Sequence, residues 1–380
     1  MIPEDFYLEN RYYYKRLNRG EKDLYRFLVE LFLQRKREFI FTFSDSWVAD
    51  VPEAKDIPIF VYIDYEEFVD LYKTYEYIMW DCPEFYYLSQ DVFDFDMETG
   101  IHRIGGKNPF YTVEEIDKLD KLLYGILHNF DHIIDPFELE LEVHDYITRN
   151  FDYDPKAHGV ERLGERDFEE MFTIAGFLKT GKAVCAAFSR LMQFVLLRRG
   201  IEAAYVIADA GSEEDGIESH AWLVVKLGGH YYHLDVTFNE GGTLETQSTQ
   251  YEHFNVPTEE ILDDHFFKAE EYPDIICDHT EYNYYNMLGL YFETYEQIIK
   301  GLEKHLDSLN LVHGQTYNFY FKYSRELDLQ KIVRSLWKGM ENKRVELVNQ
   351  EFSHGGFDGY YVLEFVFDKF LPDRNGTNQP

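Results

Sequence analysis

Three side chains in the middle of this chain can do together what none does alone: Cys185, His220 and Asp235. A cysteine attacks a carbonyl once a base removes its proton, and histidine exchanges protons near neutral pH. An aspartate can hold the imidazole in orientation and stabilise its protonated form. Cys185 stands in Gly181-Lys182-Ala183-Val184-Cys185-Ala186-Ala187-Phe188, where a glycine-bounded loop runs into an apolar helix. Such a cysteine reads two ways. It is an inert small hydrophobe, because free cysteines are among the most buried side chains, or a nucleophile, because a helix N-terminus favours the thiolate. In the second reading the Cys185 backbone N–H is a candidate oxyanion donor.

The elements around these residues must bring them together. Val184 to Arg199 reads as a helix with Val184, Phe188, Leu191, Met192, Val195 and Leu196 on one broad face, ended by Gly200. "IEAAYVIADA" then reads as a strand, "GSEEDGIES" as a solvated loop, and "HAWLVVKLGGHYYHLDV" as two strands around Gly228-Gly229. His220, Trp222 and Val224 share parity on one strand, and Tyr231, His233 and Asp235 on the next. A register with Val225 opposite His230 sets His220 opposite Asp235, whereas a slip of one residue puts them on opposite faces. Trp222 and His233 are the candidates for a substrate groove; the plainer readings are a core aromatic and a partly exposed hairpin residue.

With those residues in place, the chain resembles the transglutaminase-like superfamily of papain-related cysteine enzymes, especially the bacterial branch described as transglutaminase- or protease-like. "GKAVCAAFSRLMQFVLLRRGIEAAYVIAD" is similar to its nucleophile helix and following strand, "SHAW" contains the corresponding His220, and "YYHLDVTF" the corresponding Asp235. The similarity runs over about Leu139 to Asn239, with a weaker echo of a bacterial N-terminal region in "DCPEFYYLSQ". The resemblance implies a papain-related α+β core and Cys-His-Asp acyl chemistry, in a family of transglutaminases, peptidases, other amide-processing proteins and some domains without demonstrated activity. One departure is Ala187, where glycine is frequent in the family; alanine is compact and helix-compatible.

The expected fold class is α+β: a papain-like, transglutaminase-like central core over 111–258, an N-terminal accessory α+β region over 1–110, a C-terminal α+β region over 259–370, and a flexible tail over 371–380. Helices are expected from Tyr12 to Arg37, from Tyr65 to Met79, from Thr112 with a capping box to Glu115, and from about Pro136, with "EFIFTFS" as a strand. In the C-terminal region "NMLGLYFETYEQIIKGLEKHLDSLN" and "DLQKIVRSLWKGMENK" read as helices, and "TYNFYFKY" and "GYYVLEFVFDKF" as strands.

The 71 acidic residues exceed the 37 basic ones, for a net charge of −34, which disfavours nucleic acid and anionic membrane as partners. From Glu240 through Glu281 there are twelve acidic residues and only Lys268 as a basic one, a run that reads as a solvated face. Cys82, Cys185 and Cys277 are widely separated and form no CxxC pair, so a reduced, cytoplasmic protein is expected. The start Met1-Ile2-Pro3-Glu4-Asp5 lacks the pattern of an export signal. Cys277-Asp278-His279 offers too few converging groups for a zinc site, and no phosphate-binding loop is present. No metal and no cofactor is therefore expected.

The function this sequence favours is hydrolysis of an amide or peptide bond through a thioester, with a protein or peptide as substrate. Water is preferred as acceptor because no feature specifies an amine-acceptor channel. The alternatives are transglutaminase-type transfer to an amine, and a binding or structural module with little catalysis. Oligomeric state is open.

Overall fold

The computed structural model describes residues 2–42, 56–61, 68–88, 93–104, 111–154, 170–212, 216–240, 250–268, 271–272, 274–340, 345–353 and 359–367. The chain divides into two compact units, Met1–His253 with Asp264–Cys277, and Phe254–Asp263 with Asp278–Pro380. The N-terminal segments thus lie in the same unit as the residues around Cys185, and the chain visits the second unit twice.

The first unit opens with α1 (Tyr12–Lys15) and α2 (Arg19–Leu33). The single helix expected over this stretch is split because Asn18 caps a new one: its side chain accepts from the Glu21 N–H at 2.8 Å while Glu21 accepts from the Asn18 N–H at 3.0 Å. Strands β1 (Glu38–Thr42) and β2 (Ile59–Val61), helix α3 (Leu71–Asp81), and strands β3 (Phe93–Phe95) and β4 (Ile101–Ile104) follow. The strands form a sheet of order β2-β1-β4-β3. Helix α3 begins at Leu71 because Asp70 accepts from the Lys73 N–H at 3.0 Å. At its other end the buried Asp81 carboxylate accepts from the N–H groups of Tyr13 (3.1 Å) and Tyr14 (2.7 Å) and from the Tyr25 hydroxyl (3.2 Å), which ties α1 to α3.

Helices α4 (Val113–His128) and α5 (Pro136–Asn150) come next, the first with the expected Thr112–Glu115 capping box and the second with Asp135 as cap and Pro136 at its first position. Short β5 (Asp152–Tyr153), α6 (Ile174–Thr180) and short β6 (Lys182–Ala183) lead into α7 (Cys185–Arg198), whose residues are all buried. A helix apolar on every side belongs in the middle of a core. Its few polar side chains fix it there: Ser189 donates to the Ala221 carbonyl at 2.9 Å, and Gln193 to the carbonyls of Trp80 (2.9 Å) and Ala203 (3.0 Å).

Strands β7 (Ala203–Ser212), β8 (Gly216–Leu227) and β9 (His230–Leu234) form an antiparallel meander with β8 between the other two. The stretch expected as a solvated loop is largely strand, since β7 and β8 stay paired out to Ser212 opposite Gly216. Strand β10 (Phe254–Val256) and α8 (Thr258–Ile261) fall in the second unit, after which β11 (His265–Phe266) lies antiparallel on β7, with His265 opposite Ala210.

The second unit continues with α9 (Tyr284–Met287), β12 (Tyr291–Phe292), α10 (Tyr295–Ser308), β13 (Thr316–Tyr323), α11 (Leu329–Met340), β14 (Val345–Ser353) and β15 (Gly359–Phe367), with sheet order β12-β13-β15-β14. Ile298, Leu302 and Leu306 of α10 and Ile332 and Leu336 of α11 share a core with Phe319, Phe321, Tyr361 and Phe365 of the sheet. Strand β14 has no counterpart in the sequence reading; "VELVNQEFS" is too polar to stand out by alternation. The tail expected over 371–380 lies outside the described residues. Among the described residues no helix is long and apolar enough to cross a membrane.

Candidate active site

The approach to Cys185 is built one residue at a time. Gly181, at φ 74°, ends α6 in the left-handed conformation and its N–H donates to the Phe177 carbonyl at 2.9 Å. Lys182 and Ala183 then pair with Asp152 and Tyr153, and the Val184 N–H donates to the Met171 carbonyl at 3.0 Å. Val184 is extended and Cys185 is the first residue of α7. A helix has no internal acceptor for its first N–H groups, and Cys185 stands at that position. Cys185 itself is 8% exposed.

His220 lies on β8 and Asp235 directly after β9. The hairpin register differs from the expected one by two residues: Val225 sits opposite Tyr232, and Leu227 opposite His230 across the two-residue turn. Gly228 (φ 58°) and Gly229 (φ 94°) both take the positive φ that a tight twisted hairpin requires. A shift of two leaves facial parity unchanged, so His220 and Asp235 still project to one side, as diagonal neighbours. His220 Nε2 donates to Asp235 Oδ2 at 2.6 Å, with His220 9% and Asp235 0% exposed. Burial alone lowers the pKa of His220, but the Asp235 carboxylate, with a smaller contribution from Cys185, raises it to about 10.

Asp235 is more completely held than the sequence could indicate. Oδ1 accepts from the N–H groups of Thr237 (2.8 Å) and Phe238 (3.1 Å), while Oδ2 accepts from a second imidazole, His265 Nε2, at 2.9 Å. Burial opposes ionisation of this carboxyl, yet His220 and then His265 hold its pKa well below the usual carboxylate range. The other nitrogen of His265 meets Asp264 Oδ1 at 2.5 Å, and Asp264 Oδ2 meets His253 Nε2 at 2.9 Å. A continuous series His220–Asp235–His265–Asp264–His253 results.

Two overlapping groups within this series, His220/Asp235/His265 and His253/Asp264/His265, bring three potential metal-ligand atoms close together. Two ligands on one tetrahedral zinc ion lie roughly 3.3 Å apart, given bonds of about 2.0 Å. The contacts of 2.5–2.9 Å found here are hydrogen bonds instead.

Trp222 and His233 do not suit the groove role expected for them. They are 0% and 1% exposed, and Trp222 Nε1 donates to His233 Nδ1 at 3.1 Å. Burial, with His265 nearby, lowers the His233 pKa to about 3, which keeps that nitrogen an acceptor. Residues with no solvent contact cannot wall an open groove, so the pair is core structure. Cys82 and Cys277 are likewise buried and in no disulfide, Cys277 packing with Val206 and Trp222.

Other neighbours of the site escaped the sequence reading. Tyr153 on β5 has its pKa raised to about 12 by burial, then by Cys185, Glu218, Asp154 and Asp235. Asn239 braces the segment after Asp235, donating to His144 Nε2 at 3.1 Å and accepting from the His253 N–H at 3.0 Å. His265 and Asp264 belong to the acidic run read as a solvated face; the run contributes two buried or half-buried members to the site.

This arrangement, a cysteine opening a buried helix and a His–Asp pair on the adjacent hairpin, coincides with a family match. Residues 130–236 match the model of the transglutaminase-like superfamily. Over these residues the chain is similar to a transglutaminase-like core. No curated protein matches the chain. Among solved structures, a TGase is similar at 18% identity over 40% of this chain and 40% of its own, with TM-score 0.31. A putative cysteine protease from Cytophaga hutchinsonii is similar at 20% identity over 34% of this chain and 43% of its own, with TM-score 0.24. The periplasmic domain of TgpA from Pseudomonas aeruginosa, bound to ethylmercury, gives 19% identity over 35% and 46%, with TM-score 0.24. The chain spans less than half the length of each. The α+β assignment with a transglutaminase-like core flanked by further α+β material therefore stands on the family match and the elements described above.

Proposed function

We propose that this protein is a thiol-dependent amidase or peptidase in which Cys185 is the nucleophile, His220 its proton partner and Asp235 the group that holds His220. The observation that supports this reading is the 2.6 Å His220–Asp235 bond, on a hairpin that Ser189 of the Cys185 helix joins at Ala221, next to His220. Nε2 of His220 is committed to Asp235, which leaves Nδ1 to face the sulfur.

The Cys185 sulfur, its proton on His220, bonds to the acyl carbon, and the carbonyl π pair moves to oxygen, where the Cys185 N–H meets it. As the oxyanion collapses, the C–N bond breaks and the leaving amine takes the proton from His220. Water then loses a proton to His220 and attacks the thioester, and the C–S bond breaks to return the thiol and release the acid. An amine in place of water gives transfer.

Turnover of a peptide library by the purified protein tests the reading. Acid products should form and vanish in Cys185→Ala; activity retained by a folded Cys185→Ala protein would reject the nucleophile. Amide product persisting in excess water would make transfer the main reaction. The 8% exposure of Cys185 favours a second reading, a binding module with little catalysis. Iodoacetamide separates the two: modification of Cys185 well above the rate of a simple thiol supports chemistry, and none supports the binding module.

A further inference from the structure

Asp235 Oδ2 is shared by two imidazoles, and the His–Asp–Cys chemistry uses only one of them. His265 is fully buried, donates to Asp235 at 2.9 Å, and is tethered on its other nitrogen by Asp264 at 2.5 Å. Its backbone is fixed independently: His265 pairs with Ala210 on β7, and the Asp264 carbonyl accepts from the Gly211 N–H at 2.8 Å. The ring is therefore held from the main chain and from one side chain, with its remaining nitrogen aimed at Asp235. The series passes from the buried Asp235 to Asp264, whose side chain is partly exposed and can stay charged at little cost.

We propose that His265 is a positioning residue for the reaction proposed above, on which this inference rests: it keeps Asp235 ionised and turned so that Oδ2 meets His220. A carboxylate with no solvent contact stays charged only while its lone pairs are filled. Thr237 and Phe238 fill two on Oδ1, and His220 fills one on Oδ2. His265 supplies the fourth donor. Without it, the buried charge is less well supported and Oδ2 loses the contact that fixes its direction, so Asp235 holds the protonated His220 less well. His265 touches neither the sulfur nor the reacting carbon on this account and acts through Asp235.

The test is the rate of Cys185 alkylation by iodoacetamide, which needs no substrate, on full-length variants whose folding is checked by thermal unfolding. His265→Gln places an N–H near the position of Nε2, whereas His265→Asn places one near Nδ1, away from Asp235. The expected result is a rate close to the parent in His265→Gln and about tenfold slower in His265→Asn, the loss of one charge-assisted hydrogen bond. In His265→Asn/Asp235→Asn the rate should equal that of Asp235→Asn alone, since a group acting through Asp235 adds nothing once Asp235 is neutralised. A merely structural role predicts equal loss of stability in the two His265 variants and no difference in rate.

Equal rates in His265→Gln and His265→Asn, or losses that add with Asp235→Asn, would overturn the proposal. His220→Ala distinguishes its failure from that of the underlying reading. If His220→Ala slows alkylation and His265→Asn does not, only the role of His265 is wrong. If His220→Ala has no effect, the catalytic reading fails and this inference with it.

Discussion

At the scale of residues, the pairing of His220 with Asp235 was legible from two alternating strands across a glycine pair, and the place of Cys185 at a helix start from the glycine stop before an apolar run. His265 was not legible, because it reaches Asp235 across thirty positions from within a run of acidic residues whose composition predicts only solvation. Groove roles for Trp222 and His233 failed because parity places a side chain on a face without saying whether that face is covered. The pairing of His220 with Asp235 has a pH signature. His220 has its pKa raised from about 6.5 to about 10, so the stabilisation it gains is fully present below about pH 6.5 and is lost as pH rises towards 10. Asp235 is shifted downward, so its contribution is present above about pH 4 and lost as pH falls through the folded value. Asp235→Asn should therefore cost about 3 kcal/mol near pH 6, the usual result of removing one partner of a buried pair. The deficit should narrow by pH 9.5. Urea unfolding of both proteins at pH 6, 8 and 9.5 measures it, and a deficit that stays constant would show that the pair does not titrate in this range.

At the scale of elements, the helix start at Thr112 was readable to the residue because its capping box is a local signal, whereas the caps at Asn18 and Asp70 went unread. Hairpin register was not readable, and the two-residue error survived only because strand faces repeat every second residue. The length of the β7–β8 hairpin was missed for a different reason: "GSEEDG" has turn composition, yet pairing continues on either side of it. Gly211 shows what that pairing requires. Its φ of 133° is strained for any other residue, and a Cβ there would lie 2.1 Å from the Gly216 carbonyl oxygen. Its N–H also anchors Asp264, next to His265. Gly211→Ala should lower stability by about 2 kcal/mol through strain and overlap, and should slow Cys185 alkylation as well, because the end of the hairpin and the strand bearing His265 must shift together. Chemical denaturation and the alkylation rate read the two effects. An unchanged denaturation midpoint would show that the hairpin opens here without cost.

At the scale of the whole molecule, the charge of −34 was legible from composition alone, but its consequence for the site depends on structure. Two fields act on a charged reagent approaching Cys185. The protein as a whole repels anions over a distance set by ionic strength, about 30 Å at 0.01 M and about 8 Å at 0.15 M. The His220 imidazolium, held in its charged form by Asp235, attracts them at close range, where salt screens a buried charge poorly. Iodoacetate, an anion, and iodoacetamide, neutral and similar in size, separate these contributions. If the long-range field governs approach, the iodoacetate rate should rise several-fold between 10 mM and 200 mM NaCl while the iodoacetamide rate stays nearly constant. An iodoacetate rate that falls with salt would mean that the local cation outweighs the net charge, and that an anionic group near the scissile bond of the substrate is favoured. A rise supports the opposite expectation, that this acidic molecule draws neutral or cationic segments to the proposed site.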